Sequence, residues 1–68
     1  MKAVSGKRFC RVLEKKEWEL RRINGSHHIY AKSGMDVRIS VPVHGNKPMK
    51  IGLQKSFMKV ADIEESDL

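Results

Sequence analysis

A tight polar turn, Asn24-Gly25-Ser26, runs directly into His27-His28-Ile29-Tyr30. Imidazole is the side chain whose charge changes nearest neutral pH. Held at the start of a strand, among an excess of Lys and Arg, it has the chemistry of a general base acting beside a phosphodiester. RNA brings its own nucleophile, the ribose 2′-hydroxyl. A protein that cuts RNA must take that proton, hold the backbone in line and stabilise the charge that builds around phosphorus. A neutral imidazole suits the first task, and Lys or Arg the last. Arg21, Arg22, Arg38, Lys47 and Lys50 are the candidate clamps, with Arg22 close before the turn. The same residues would also serve a hairpin that binds RNA without cutting it.

Within the turn, Gly25 answers either a positive φ or a close approach of RNA to the backbone. Ser26 caps the turn or meets a phosphate, capping being the more ordinary role. Adjacent residues of a strand point to opposite faces, so His27 and His28 do not act as a side-by-side pair. If Tyr30 packs inward with Trp18 and Leu20, His28 shares its face and His27 faces out. If Ile29 is the core residue, the assignment reverses. A half-buried, hydrogen-bonded strand residue is the ordinary role for His28. His44, at the end of a later strand, is a conceivable general acid, although a histidine entering a loop is more often structural. Tyr30 is either a platform for a base or core, and core is the simpler reading for it and for Trp18.

The charge balance supports a polyanionic partner. Fourteen Lys and Arg stand against eight Asp and Glu, a formal +6. Four of the acids (Asp62, Glu64, Glu65, Asp67) fall in the last seven residues, so the first 61 carry a net +10. Such a surface attracts nucleic acid by steering and counterion release. No segment pairs a basic face with a strongly apolar one, which disfavours a membrane surface. No apolar run approaches the roughly 20 residues of a bilayer span. Residues 1–6 show no apolar signal region, and the one cysteine, Cys10, suits a reducing cytoplasm. Gly6-Lys7 lacks the rest of a phosphate-binding loop. Cys10 and three histidines give no zinc spacing, and no Ser-His-Asp arrangement is legible. Neither a metal nor a small-molecule cofactor is expected.

Sixty-eight residues make one domain with a modest core, stable by a few kcal/mol. Ser5 is a candidate N-cap, and Phe9, Val12 and Leu13 follow at helical spacing, predicting a helix from about Gly6 to Lys16 with Cys10 buried on it. Trp18–Ile23 is predicted to be a strand with one buried face carrying Trp18 and Leu20. Asn24-Gly25 signals a hairpin, and a second strand returns over about His27–Lys32. After a turn at 33–36, Val37, Ile39, Val41 and Val43 alternate with Arg38, Ser40 and Pro42. Pro42 marks an outer edge or a strand end. Residues 44–48 form a loop. A second helix follows from Ile51-Gly52, with Leu53, Phe57, Val60 and Ala61 expected on its buried face. The ordered core is expected over about 5–63, and the acidic tail 64–68 is expected to fray, with docking onto the basic body or onto a partner as the alternatives. The order α-β-β-β-α predicts a two-layer α+β domain, a three-stranded antiparallel sheet with two helices on one face. This is the topology of double-stranded-RNA-binding domains.

The residues carry a further likeness. Gly25-Ser26-His27-His28, then Tyr30, then Ile39-Ser40-Val41-Pro42-Val43-His44-Gly45, a basic loop and a closing helix together resemble the HicA (YcfA-like) mRNA interferase toxins, from Ser5 through Ile63. At the start of the last helix the chain departs from the family's Gly-Thr-Leu, carrying Gly52-Leu53-Gln54. The resemblance implies a metal-independent endoribonuclease that cleaves mRNA. It implies that the histidine directly after Gly-Ser, His27, is the catalytic residue, which favours His27 as the outward one. It also implies a HicB-type antitoxin that covers the RNA-cleaving surface. Two other readings remain, a basic module that grips RNA without cutting it and one half of a protein complex with no RNA role.

Overall fold

The computed structural model describes residues 1–68. Helix α1 (Gly6–Lys15) leads into strands β1 (Glu19–Asn24), β2 (His27–Ala31) and β3 (Arg38–Pro42), and helix α2 (Ile51–Ala61) follows. The sheet is antiparallel in the order β1-β2-β3. The α+β architecture therefore stands as the order of elements suggested.

Local chemistry explains the ends of α1. The Ser5 hydroxyl accepts a hydrogen bond from the Arg8 N–H at 3.1 Å, satisfying an otherwise free donor of the first turn. At the other end Glu17 adopts φ 71°, and the Trp18 N–H returns to the Leu13 carbonyl at 2.9 Å. This is a left-handed helix stop with a buried apolar residue just beyond it. Helix α2 ends the same way, with Asp62 at φ 56° and the Ile63 N–H on the Met58 carbonyl at 2.9 Å. Trp18 thus belongs to the helix stop and precedes β1, instead of lying in the strand, and it is buried.

The helices bury side chains of β3 and β2 but none of β1. Ile39, Val41 and Tyr30 are at most 1% exposed, and they join Phe9, Leu13, Trp18 and Met58 in one core. Phe9 and Phe57 link the two helices with ring centroids 6.0 Å apart. Leu20 and Ile23 share the helix-side face with Tyr30 and His28 through the β1–β2 register, yet they are 43% and 56% exposed. The expected buried face of β1 does not form: every residue of the strand is exposed, although α1 approaches it. Val37 likewise lies exposed before β3, while Val43 packs partly against the core.

Helix α2 is rotated from its expected setting. Its buried residues are Gln54, Met58 and Ala61, and Leu53 and Val60 are exposed. The cause is polar. The fully buried Gln54 amide accepts from the Val4 N–H at 2.8 Å and donates to the Lys2 carbonyl at 3.0 Å, tying the N-terminal segment to α2. The Met49 N–H on the Val4 carbonyl, at 2.9 Å, holds the same segment from the loop side.

The tail does not fray; it docks onto the basic body, the second of its expected settings. Glu65–Asp67 forms a short 3-10 turn closed by reciprocal bonds between Glu64 and Asp67. Asp67 pairs with Lys16 at 3.2 Å, and Arg8 donates to the Leu68 carbonyl at 2.6 Å. The Glu64 N–H, and then Lys16, hold the Asp67 carboxyl below its usual range.

Helix α1 begins against the end of β3. A Cβ placed on Gly6 would overlap the Pro42 carbonyl oxygen and lie 3.2 Å from the Val43 Cα. Both are backbone atoms that cannot swing aside. Gly6→Ala must therefore separate helix from strand, and is expected to cost roughly 1–3 kcal/mol or more, as overpacking does. Urea melts of the two proteins measure it. A variant as stable as the parent would show that this contact does not set the helix position.

Candidate nucleic-acid interface

The β1–β2 hairpin closes with a two-residue loop, Gly25-Ser26, because Asn24 pairs with His27. Only Gly25 has a positive φ, +62°, while Ser26 does not, matching the turn that wants Gly first. Asn24 is the last residue of β1 instead of a positive-φ turn residue. A Cβ on Gly25 would meet no protein atom within 4 Å, so within the protein it is the positive φ that calls for glycine there. The Ser26 carbonyl accepts from the Val43 N–H at 2.8 Å, which ties the turn to the end of β3.

Register then assigns every side chain of the sheet to a face. Buried Tyr30 lies opposite Ile39 and Leu20, and His28 lies opposite Val41 and Ile23, so all of these face the helices. His28 is half-buried, as expected, but its imidazole makes no side-chain hydrogen bond within the protein. The other face has no covering layer. Its first row is Asn24–His27–Pro42, its second Arg22–Ile29–Ser40, and its third Glu19–Ala31–Arg38. His27 is exposed at the end of the central strand.

The candidate cations divide into three groups. Arg22 lies one row from His27, about 7 Å along the strand, and Arg38 two rows away, about 13 Å, at the usual rise per residue. Arg21 sits in a β-bulge between Leu20 and Arg22 and pairs at 3.3 Å with Glu19 of the third row, which offsets its charge. Lys47 and Lys50 line a cleft with His44 beside Pro42, the β3 neighbour of His27. His44 is exposed in the loop after β3. The cleft itself was not visible in the sequence, although two lysines flanking Pro48-Met49 were its trace. No three His, Cys, Asp or Glu side chains converge as metal ligands would. No helix is long and apolar enough to cross a membrane.

The buried polar groups lie on the opposite side from His27. The Tyr30 hydroxyl donates to Glu14 Oε2 at 2.6 Å. Burial, and then that bond, push the Tyr30 phenol far above the ordinary tyrosine range. Burial also pushes the Cys10 thiol up, so it is a core residue and no nucleophile.

One comparison bears on this arrangement. Residues 6–63 match the family model described as HicA toxin of bacterial toxin-antitoxin. The comparison with curated proteins gives no match.

Tyr30 is the chain's one tyrosine, and it gives the fold an alkaline limit. Its folded-state value is raised, so its contribution is complete below about pH 10, where the unfolded chain's phenol ionises, and is lost as pH rises further. Tyr30→Phe is expected to lose roughly 1–2 kcal/mol at neutral pH with the Glu14 bond and to show a smaller alkaline loss. Urea melts at pH 7 and pH 11 separate the two effects. An identical alkaline loss in both proteins would clear Tyr30 of the role.

Proposed function

The chain belongs to the HicA family of toxins from bacterial toxin–antitoxin systems, and we propose that it acts as a metal-independent endoribonuclease that cleaves mRNA, with His27 as general base. The observation that carries this reading is the placement of His27. It is exposed at the end of the central strand, on the open face of the sheet, with Arg22 one row behind it.

The chemistry follows from what RNA offers such a face. Neutral His27 takes the proton of a ribose 2′-hydroxyl. The 2′-oxygen bonds to the adjacent phosphorus, the bond from phosphorus to the 5′-oxygen breaks, and that oxygen takes a proton from a solvent water, while His27 afterwards gives its proton back to solvent. One strand then ends in a 2′,3′-cyclic phosphate and the other begins with a 5′-hydroxyl. Arg22 is the nearest candidate on this face to offset the extra negative charge on phosphorus, with Arg38 holding the strand further along. Gly25 and Ser26 leave the backbone beside His27 open, and Lys47 and Lys50 extend the positive surface past Pro42. A HicB-type antitoxin would restrain the toxin by covering this same face.

The test is cleavage of mRNA in EDTA by the wild type and by His27→Ala. Wild type is expected to cut, and the variant to lose about 100-fold or more, as general-base removal does. The variant's melting point is expected to be unchanged, because His27 is exposed. Salt-sensitive RNA binding with full recovery of intact RNA would instead identify a binding module that does not cut.

A further inference from the structure

The cleft beside Pro42 differs in kind from the open sheet. It is a concavity of about 370 Å3, within the range of sites that enclose small molecules. Its inner wall is apolar, built by Pro42, Met49 and Leu53, and its rim carries His44, Lys47 and Lys50. Met49 is buried, and its N–H bonds to the Val4 carbonyl at 2.9 Å. Leu53 is exposed although it lies in the first turn of α2, because Gln54 takes the inward position. The rotation of α2 is thus what leaves an apolar side chain facing this cleft.

A site meant only for phosphate would have no use for such a wall. An apolar floor with a cationic rim and an imidazole fits a nucleotide whose base has left the stack. We propose that the cleft is a nucleotide subsite. It takes one unstacked base of the RNA against Pro42, Met49 and Leu53, while Lys47 and Lys50 meet the neighbouring phosphates and His44 lies along the base or its ribose. Pro42 belongs both to this wall and to the row that holds His27. The base seated here therefore belongs to a nucleotide next to the bond being cut, and the cleft sets which sequences are cleaved. This inference rests on the nuclease reading for the meaning of that position, but the binding it describes can be measured without cleavage.

The direct experiment is a titration of the 15N-labelled protein with a tetranucleotide whose 2′-hydroxyls are all methylated, so that it cannot be cut by 2′-oxygen attack. Amide resonances of His44, Met49, Lys50 and Leu53 are expected to shift together with those of Gly25–His27, saturating at the same concentration. Shifts at the turn with none around the cleft would overturn the subsite while leaving the nuclease reading intact. Leu53→Glu supplies a second readout, since position 53 is exposed and the fold tolerates a polar side chain there. It is expected to raise KM for RNA about ten-fold and to change which sites are cut, with an unaltered melting point. An unchanged KM and cleavage pattern would overturn the proposal. Failure of the nuclease reading would show itself separately, as intact unmodified RNA with the wild type.

Discussion

The setting of Tyr30 governs the face that matters. It is the largest buried side chain of the central strand, and its hydroxyl is held by Glu14 from α1. A strand alternates strictly, so fixing Tyr30 toward the helices fixes His28 there and sends His27 and Ile29 outward. A slip of one residue would place His27 in the core and strand a phenol in solvent. The burial of one aromatic ring thereby chooses which of two adjacent histidines meets the solvent. The two-residue hairpin then sets where along the sheet that histidine lies, because pairing Asn24 with His27 leaves only Gly25 and Ser26 to turn the chain.

Stability and reactivity are divided between the two faces of one thin sheet. The helix side holds the core, the Tyr30–Glu14 bond and the contact between α1 and the end of β3. The tail adds to that side, with Asp67 on Lys16 and Leu68 on Arg8, so part of the acidic segment is spent against α1. The open side keeps its cations. This division lets surface residues around His27 change with little effect on folding, which is useful in a domain of 68 residues with a modest core.

Legibility followed how local each cause was. The N-cap at Ser5, the hairpin at Gly25 and the alternation of Ile39 and Val41 depend on neighbours in sequence, and the structure carries each of them. Alternation also posed the choice between His27 and His28 correctly, with Tyr30 as the residue that decides it. Readings that depended on distant partners failed. Leu20 looked like core because it alternates with charge, but the helices bury no side chain of β1. Leu53 and Val60 looked like the inner face of α2, but Gln54 finds two backbone partners fifty residues earlier, and a satisfied buried amide is invisible to hydropathy. The tail's charge suggested either solvent or the basic body, and its partners on α1, far away in sequence, could not be named. The cleft escaped notice for the same reason, since it is assembled from the end of β3, a loop and the first turn of a helix.

The central claim is that an imidazole on this open face draws its nucleophile from the RNA itself. Mass spectrometry of the fragment ends, taken from a short RNA cut by the wild-type protein in EDTA, tests it most directly. Attack by the 2′-oxygen leaves a 2′,3′-cyclic phosphate, or the phosphate it hydrolyses to, facing a 5′-hydroxyl, and those are the ends expected. Fragments ending in a free 3′-hydroxyl opposite a 5′-phosphate would mean that water attacked instead, and would contradict the role given to His27.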